Sequence, residues 1–566
     1  MMKIIFLLFL LYLPLLHAKK ATLIFQGNDA LSEKELYNAI NLSKPSFYEF
    51  NKEAPSINEK ILPIVKQTIK NYYKSKGYYH AQVSSSRDKN TITLRVEERE
   101  PLRITEIKTL SVLDAKSQLP FKEGDVFDAD KFTQSKKTIQ LFYAKESFCN
   151  ATLDAKALVD IELNSAILSY KVTPNGVCQF GKIEITPSKT VDKEIIESLL
   201  FIKEDDTFYL ENISKSYKNI YAHAGISSAL INTTIDKNST VDVNVSVVEN
   251  EKPIRFGSSL GYSSDQGAMV ALNVENRNFL GNLKTLGMSA KLTQIYQSLK
   301  VNYSMPLKNR DTFGADVEVK NENYQGFKEI STAATLFLAQ REMPSDFKES
   351  LVFDNTHTYE SEDLALFPNG NLFILSPKFG WGYDARDDFL NPTKGYFLNA
   401  DVMGSLQSFL CAASYTKLTL SGGYILPINA SNFLATKATF GNLRLYGGEI
   451  PPSYRFFAGG AYSNRAYSYR GLGPKDGHSN PTGFDSMLEV TFEYRFPIYQ
   501  ELRGVVFSDN SAIGDAYLSN SESLYSSGGF GLRYTTPIGP ISVDFGFDLA
   551  NPKKQYAFNF HIGELF

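Results

Sequence analysis

From Pro253 onward the sequence alternates apolar and polar residues, and helical periodicity disappears. Residues 487–497 show the pattern: every second residue is apolar from Leu488 to Phe496, and the residues between them are polar or charged. Because successive side chains of a strand point to opposite faces, each such stretch predicts a strand with one apolar and one polar face. A chain built this way must cover one whole face of a large sheet, which constrains its fold more than any other feature.

The N-terminus predicts export. Met1-Met2-Lys3 precedes an apolar run that ends at Ala18, and this is the pattern of a secretory signal peptide over residues 1–18. Beyond it no run of about 18 apolar residues occurs, so no transmembrane helix is predicted. Aromatic residues make up 13% of the chain, and an exported, aromatic-rich chain without spanning helices is typical of a transmembrane β-barrel. A soluble sandwich, which would also alternate, is the alternative.

The predicted barrel occupies residues 253–566. At about 20 residues per strand and turn, it supplies about 16 antiparallel strands. In such a barrel the apolar row from Leu488 to Phe496 faces lipid, and Glu489 and Glu493 face the lumen.

Composition disfavours several classes of function. The net charge of −3 argues against nucleic-acid binding. Six scattered histidines without a Cys/His cluster predict no metal site, and no cofactor is expected. Gly257 to Gly261 fits the GxSxG pattern of serine hydrolases, but that pattern requires a turn between a strand and a helix, and no helix is predicted here. The chain is therefore not expected to be an enzyme.

The three cysteines leave one unpaired. Cys149 and Cys178 lie in one predicted module, and a disulfide between them is compatible with an oxidising compartment. Their spacing leaves open whether the two Cβ atoms face each other. Cys411 is predicted to be a lone cysteine of the barrel.

The soluble half, residues 21–250, contains a repeat. Strand patterns at Thr91–Val96, Ala166–Val172 and Val241–Val247 start 75 residues apart each time. A fixed period of this size predicts three copies of one unit, each reading strand, helix, helix, strand, strand. In the first copy Ser32 and Glu35 form a capping-box pattern that opens a helix. A second helical stripe ends at Gly77, which is expected as its C-cap.

Gly77-Tyr78-Tyr79-His80-Ala81 resembles the corresponding turn of POTRA domains. The resemblance implies POTRA domains at residues 19–100, 101–177 and 178–252. The second copy lacks the glycine near Ser147. Such small modules leave sheet edges open, and an open edge can receive an extended chain by β-augmentation; the alternative is that the modules act as a rigid spacer.

The stretch from Arg455 to Pro474 lies between two predicted strands and is too long for a tight hairpin. Its RFFAGG sequence, followed by an Arg–small–Tyr triplet, resembles the inward-folded extracellular loop of the outer-membrane insertase superfamily that includes TamA and BamA. In that family the triplet carries glycine where Ala466 stands here. The motif residues are Phe456, Phe457, Gly459, Gly460 and Tyr467.

The resemblance implies a lumenal latch. Buried arginine requires a bidentate acceptor, and Phe507-Ser508-Asp509 resembles the family segment whose acid receives the loop arginine. Arg465 is therefore expected to contact Asp509, with Glu493 adjacent and Glu489 on the same lumenal face; a solvated loop arginine is the alternative. Arg470 is predicted to matter less than Arg465.

The C-terminal strand resembles the β-signal by which assembly machinery recognises a barrel's last strand. Its aromatic and apolar residues fall at alternate positions: Phe558, Phe560, Ile562 and Phe566. In this family the last strand also faces the first across a seam. An ordinary edge-closing strand is the alternative, and the two interpretations do not exclude each other.

Taken together, the resemblances imply α+β POTRA repeats (three) followed by an all-β transmembrane barrel of about 16 antiparallel strands in the bacterial outer membrane. The implied function is a TamA-like insertion or translocation of outer-membrane and autotransporter-type proteins through a lateral seam. Expected partners are nascent outer-membrane proteins, outer-membrane lipid and a TamB-like inner-membrane-anchored protein. Alternatives are a BamA-type core assembly factor, which carries more POTRA copies, a two-partner secretion transporter, which carries fewer, a passive porin and a lipid-transport component.

Overall fold

A computed structural model describes residues 20–43, 55–236, 238–308, 311–342, 344–388, 392–409, 411–429, 431–499, 501–515, 523–536 and 541–562. The predicted signal peptide, residues 1–18, and Phe566 of the predicted β-signal lie outside these residues. The chain forms two compact units. One contains the chain up to Ile183 with residues 202–214 and 232–243, and the other contains residues 184–201, 215–231 and 244–566.

The soluble half contains ten strands and five α-helices within the described residues. They are β1 (Lys20–Gln26), α1 (Glu33–Ala39), β2 (Ser56–Asn58), α2 (Leu62–Ser75), β3 (Gln82–Asp88), β4 (Thr91–Glu97), β5 (Arg103–Leu110), α3 (Ala129–Lys145), β6 (Thr152–Asp160), β7 (Ser165–Thr173), β8 (Gln179–Ile185), α4 (Lys193–Ser198), α5 (Leu210–Ala222), β9 (Ile226–Ile235) and β10 (Thr240–Glu249). The three sheets have the orders β2-β1-β4-β3, β5-β7-β6 and β8-β10-β9.

The first repeat confirms the predicted helix signals. The Ser32 side chain accepts a hydrogen bond from Glu35 N, and the Glu35 carboxylate accepts one from Ser32 N, which is a complete capping box at the start of α1. Along α2, Val65, Ile69 and Tyr73 recur every four residues and are buried against the sheet. Gly77 follows α2 with φ of +92°, a conformation that favours glycine over other residues.

The second and third repeats depart from the predicted pattern at two points. In the second, a short 3₁₀ turn at Lys116–Gln118 takes the place of the first helix, and Ser147 adopts the positive φ of 69° that Gly77 supplies in the first. In the third, Gly225 does not close α5 by a positive φ, because α5 ends at Ala222. A Cβ on Gly225 would instead lie 2.5 Å from Arg277 O, so glycine permits a close backbone approach.

The described residues between Ile254 and Ile562 contribute one sheet of sixteen strands, each antiparallel to the next, which agrees with the predicted barrel. They are β11 (Ile254–Ser263), β12 (Gly267–Asn276), β13 (Thr285–Leu292), β14 (Tyr296–Pro306), β15 (Thr312–Tyr324), β16 (Phe327–Glu342), β17 (Ser345–Tyr359), β18 (Gly370–Asp384), β19 (Gly395–Ser405), β20 (Ala413–Pro427), β21 (Phe433–Gly448), β22 (Ser486–Tyr499), β23 (Leu502–Gly514), β24 (Ser523–Tyr534), β25 (Ile541–Asp548) and β26 (Tyr556–Ile562). We call the end where Ile254 begins β11 the proximal rim, and the other end the distal rim. Since strands alternate in direction, the β21–β22 loop lies at the distal rim.

The faces of the barrel wall follow the predicted alternation. On β22, Leu488 and Phe492 are exposed to the outside, whereas Thr491 and Glu493 are buried toward the lumen. On β24, Phe530 is exposed and Arg533 is buried in the same way. Among the described residues, no helix combines the length and apolar character that crossing a membrane requires.

The seam between β26 and β11 is paired far less than the rest of the wall. β26 pairs with β25 in a regular register from Tyr556 to Ile562. Within the described residues, β26 and β11 form no such ladder; Ser264 N, just beyond β11, donates to Phe560 O at 3.1 Å. The outer edge of β11 therefore presents backbone donors and acceptors without a partner strand in the described part of the chain.

Candidate functional site

The loop between β21 and β22 folds into the barrel. Phe456 and Phe484 exchange two backbone hydrogen bonds of 2.9 Å, and Leu472 N donates to Ala458 O at 3.1 Å. These bonds tie the two arms of the loop together. Ala458 and Leu472 are both buried in a core that includes residues of the barrel wall. A loop that projected into external solvent would not be buried in this way.

Two glycines shape the turn that carries the arginine. Gly459 and Gly460 both have φ of +104°, which disfavours residues with a Cβ. A Cβ on Gly459 would lie 2.5 Å from Ser468 O, and one on Gly460 would lie 2.8 Å from a carboxylate oxygen of Asp265. Both positions therefore require glycine, because the backbone has a positive φ and because a side chain would collide with Ser468 or Asp265.

Arg465 is completely buried and is held chiefly by Asp509. Its Nε and Nη2 each donate to a different oxygen of Asp509 at 2.8 Å, and its backbone N donates to the same carboxylate at 3.0 Å. Nη1 donates to Glu493 at 2.9 Å. The guanidinium lies 3.3 Å from the centroid of the Phe507 ring. Fork-shaped pairing with a carboxylate and stacking on a ring are both specific to arginine.

The pair belongs to a balanced cluster of buried charges. Arg533 donates to Asp544 at 2.6 and 3.0 Å and to Glu493 at 3.3 Å, and Arg495 donates to Glu493 at 2.7 Å. The cluster contains three arginines and three acids, all on β22 to β25 except the one from the loop: Arg465, Arg495, Arg533, Glu493, Asp509 and Asp544. Because charges buried away from water are tolerated only when paired, each member depends on the others.

Ala466, which stands where the family has glycine, fits without strain. It is fully buried but is not among the residues with positive φ. The loop backbone at Arg465 and Ala466 lies close to Gly546 of β25. A Cβ on Gly546 would lie 2.5 Å from Arg465 O and 2.9 Å from Ala466 N. Gln555 donates to Ala466 O at 2.8 Å. The wall, and not the loop, carries the glycine that this contact needs.

Glu489 binds the loop at a different point from Arg465. Its carboxylate accepts hydrogen bonds from Ser463 of the loop and from Ser511 of β23. It therefore supports the turn that precedes the arginine, and Glu493, two lumenal positions further along β22, receives the guanidinium instead.

Arg470 has an acidic partner that the sequence did not reveal. Its Nη2 donates to Glu322 of β15 at 2.6 Å, and its guanidinium lies 4.1 Å from the ring of Tyr324 and 4.9 Å from that of Tyr469. β15 lies across the lumen from β22 to β25 in the sixteen-stranded order. The loop is consequently tied to two walls of the barrel by two arginines.

The remaining motif residues fasten the loop between these two ties. Phe456 packs against Gly441 of β21, where a Cβ would lie 2.6 Å from its ring. Phe457 packs on Tyr324, with ring centroids 5.4 Å apart. Tyr467 donates its hydroxyl to Asp548 at 2.7 Å. Each motif side chain thus contacts a different part of the wall.

The loop also bridges the seam from inside. On the β11 side, Ala461 N donates to Asp265 of the β11–β12 turn at 2.9 Å. On the β26 side, Asn559 donates to Arg465 O at 2.8 Å, and the ring of Tyr462 lies 4.9 Å from that of His561. A segment that contacts both sides of a poorly paired seam can hold it closed without a ladder of backbone hydrogen bonds.

The described residues of the predicted β-signal share the outer face of β26. Phe558 is exposed on the outer face, and Phe560 and Ile562 follow it at alternate positions. Asn559 and His561 are buried on the inner face. The seam strand therefore presents apolar side chains to lipid and polar ones to the loop.

The structure joins Cys149 and Cys178 through a disulfide, but the prediction that both lie in one module is wrong, because Cys149 follows α3 of the second repeat and Cys178 directly precedes β8 of the third. Cys178 N also donates to Ser147 O at 2.8 Å. Cys411 is a buried free cysteine at the end of the β19–β20 loop. Among the described residues, no group of His, Cys, Asp and Glu has the arrangement of a metal site. Ser259 of the GxSxG pattern lies within strand β11, where the required strand–turn–helix context is missing.

A polar network at the proximal rim joins part of the third repeat to the barrel. Glu249 accepts hydrogen bonds from Ser188, from Thr190 and from Asn278 of the β12–β13 loop, the last at 3.0 Å. Asn282 of the same loop donates to Asp192 at 2.8 Å. Burial raises the pKa of the Glu249 carboxyl, but the hydrogen bonds from Ser188 and Thr190 outweigh burial and leave it below its usual range.

Comparison with known families matches two parts of the chain to two family models. The Omp85 superfamily domain matches residues 278–566. The POTRA family, described as a surface antigen variable number repeat, matches residues 21–99, 108–175 and 179–250.

Several of the similar proteins are named BamA. The outer membrane protein assembly factor BamA of Neisseria meningitidis is 20% identical, with 97% of this chain and 78% of that protein covered. BamA of Neorickettsia risticii is 22% identical, with 94% and 75% covered. Among solved structures, BamA from Haemophilus ducreyi lacking POTRA domains 1–3 superposes with a TM-score of 0.62 at 17% identity, covering 82% of this chain and 99% of that one. This structural likeness concerns the fold.

Proposed function

Because the chain belongs to the Omp85 superfamily, with its barrel in the outer membrane and its POTRA repeats in the periplasm, we propose that it is a TamA-like translocation and assembly protein. At the coarser level it is an outer-membrane protein assembly or secretion factor. The finer proposal is that it inserts or translocates outer-membrane and autotransporter-type proteins through the seam between β11 and β26.

This proposal rests on the outer edge of β11, which has no partner strand within the described residues. An exposed edge offers backbone N–H and C=O groups that a nascent strand can pair with by β-augmentation. In a bilayer each unsatisfied backbone group is costly, so a substrate strand that pairs there gains stability that lipid cannot supply. The infolded loop bridges the seam from within. Opening of the seam therefore requires that the hydrogen bonds of the loop to Asp265 or to Asn559 break. No covalent bond is made or broken in this mechanism, which is therefore not enzymatic.

A TamB-like inner-membrane-anchored protein is the proposed partner. The sheets of the first two repeats end in strands that pair on one side only among the described residues, such as β3 and β6. These edges can receive an extended segment of a partner or a substrate. The three repeats matched in this chain are the feature on which the TamA-like assignment of the partner is based.

A BamA-type core assembly role is the second candidate, because the similar proteins carry that name. The two roles differ in what depletion of the protein removes. Loss of a core assembly factor lowers all outer-membrane barrels together, whereas loss of a TamA-like protein lowers a subset. We expect a selective loss, measured by quantitative proteomics of outer membranes, together with retention of a TamB-like protein on the immobilised full-length chain. A uniform loss without that partner would favour the BamA-type role.

A disulfide across the seam tests the lateral mechanism. Tyr262 and Phe560 pack across it, with ring centroids 6.1 Å apart. In a Cys411→Ser background, the Tyr262→Cys/Phe560→Cys pair should block assembly of substrate barrels when oxidised and restore it when reduced. The matched control is Phe545→Cys/Phe558→Cys, which links β26 to its regular partner β25 and leaves the seam free. Full activity of the oxidised seam variant, or equal loss in both variants, would contradict lateral insertion.

A further inference from the structure

The outer face of the wall over β17 to β22 contains a carboxylate. Glu349 of β17 is exposed, and its register places it on the same face as Phe347 and Leu351, both exposed large hydrophobic residues. Its neighbours across the strands are Leu338 and Phe379, also exposed to the outside. Within the described part of the chain, no hydrogen bond or ion pair joins Glu349 to another side chain.

Glu349 lies near the periplasmic headgroup region. It is four residues along β17 from Ser345 at the proximal rim, which at about 3.3 Å per residue and about 40° of tilt corresponds to a height on the order of 10 Å. Tyr383 pairs with Ser345, and Trp381 with Phe347, so an aromatic belt lies just below Glu349. Such belts mark the membrane–water interface. A carboxylate at this level can reach the polar headgroups, although it is flanked by apolar side chains.

Beside Glu349 the wall is hollowed by small residues. Gly422 and Ala438 lie directly opposite each other on β20 and β21, and Ala400 lies next to them on β19. The resulting depression has a volume of about 570 Å³ and is bounded by large apolar side chains: Trp381, Leu398, Leu420, Tyr424, Phe440 and Leu488. A second depression of about 250 Å³ is lined by Glu349, Phe379 and Val402 and shares Trp381 and Ala400 with the first. The carboxylate and the apolar hollow therefore form one continuous surface.

We propose that this surface is a binding site for a membrane phospholipid with a primary amine in its headgroup. The hollow between Gly422 and Ala438 faces the hydrocarbon region and accommodates an acyl chain. Glu349 pairs with the ammonium group, because a carboxylate on the lipid face is destabilising unless a cation accompanies it. The occupant follows from charge complementarity and from the membrane position of the wall. This site lies on strands remote from β11 and β26 and does not depend on the proposed insertion activity.

Native mass spectrometry of the full-length protein tests the site. The protein is released from nanodiscs containing phosphatidylethanolamine with phosphatidylglycerol, or phosphatidylcholine with phosphatidylglycerol. Phosphatidylcholine has the same charge on its headgroup nitrogen but no N–H donor. The wild-type protein should retain one phosphatidylethanolamine about tenfold more than phosphatidylcholine, as expected for a hydrogen bond to a charged group.

Two variants separate the parts of the site. Glu349→Gln should remove the preference for phosphatidylethanolamine, whereas Glu360→Gln, a rim carboxylate paired with Lys328, should keep it. Ala438→Leu should fill the hollow and lower retention of both phospholipids, whereas Ala334→Leu, outward-facing on β16, should not. A preference that persists in Glu349→Gln, or retention unchanged in Ala438→Leu, would overturn the proposal. So would carbodiimide cross-linking of Glu349 to a lysine of another protein.

Discussion

Arg465 and Arg470 belong to the same loop, yet they attach it to two walls in different ways. Arg465 is completely buried among three acids and two further arginines on β22 to β25. Arg470 forms one strong ion pair with Glu322 of β15, and its side chain keeps 22% of its exposure. The difference in burial teaches that a shared residue type does not imply a shared energetic role. A buried cluster fails when one member is lost, whereas water can partly replace a lost member of a pair that keeps some exposure.

Replacing Arg465 should produce the largest effect. Arg465→Ala leaves Asp509, Glu493 and Asp544 buried with only Arg495 and Arg533 to balance them. Removing one partner from a buried ionic group costs about 3–5 kcal/mol. We expect a large fall in the unfolding midpoint of the purified protein in detergent, measured by heat-modifiable gel mobility.

Arg465→Lys provides the matched control, because it keeps the charge but loses the fork that binds both oxygens of Asp509. Its midpoint should fall between those of the wild type and Arg465→Ala. If Arg465→Ala unfolds at the wild-type midpoint, the buried cluster does not stabilise the loop.

Arg470 should contribute less, which sharpens the comparison. Arg470→Ala removes a charge-assisted hydrogen bond and two ring contacts from a partly exposed site, with an expected cost of about 1–2 kcal/mol. Combining it with Glu322→Ala in a double-mutant cycle isolates the pair. A cost equal to that of Arg465→Ala, measured by the same unfolding assay, would show that burial does not distinguish the two ties.

The sequence predicts the acidic partner of Arg465 but not that of Arg470, and the reason is physical. The position of Arg465 follows from a local motif, and Asp509 lies in a segment with its own family pattern. Glu322 has no motif, and its distance of 148 residues from Arg470 is bridged only by closure of the barrel. Alternation of apolar and polar residues does not indicate which lumenal acid faces the loop.

Register explains the other points that the sequence could not supply. Glu489 and Glu493 share one lumenal face, and only the height of the loop decides that Ser463 meets the first and Arg465 the second. The same holds for Ala466, whose departure from the family glycine is accommodated by Gly546, a residue of a wall strand 80 positions away. Alternation predicts faces, and the shear of the closed sheet decides which residues on those faces meet.

The network at the proximal rim extends the comparison to a more exposed site. Glu249 receives several hydrogen bonds near solvent, so Glu249→Gln should cost on the order of 1 kcal/mol at neutral pH after allowance for screening. Because the pKa of Glu249 is lowered in the folded protein, its stabilisation is fully present above the ordinary glutamate pKa and is lost as pH falls through the lowered value.

The difference in unfolding midpoint between wild type and Glu249→Gln should therefore shrink as pH is lowered from about 7 to about 3. Glu251→Gln, an exposed neighbour, serves as the control and should show little difference at any pH. If the difference in unfolding midpoint between wild type and Glu249→Gln stays constant or increases as the pH is lowered, the assigned hydrogen bonds are contradicted.

The smallest expected effect lies beside the most strongly held residue. Ala466→Gly restores the family triplet, yet Ala466 has no positive φ and Gly546 already allows the close approach. Glycine then only increases the freedom of the unfolded chain, which lowers stability by about 0.4–1 kcal/mol. Gly546→Ala, in contrast, would drive a Cβ to within 2.5 Å of Arg465 O and should lower the midpoint much more. If Ala466→Gly raises the unfolding midpoint instead, the backbone is strained at this position, and the contacts of Arg465 stabilise the folded protein less than their geometry indicates.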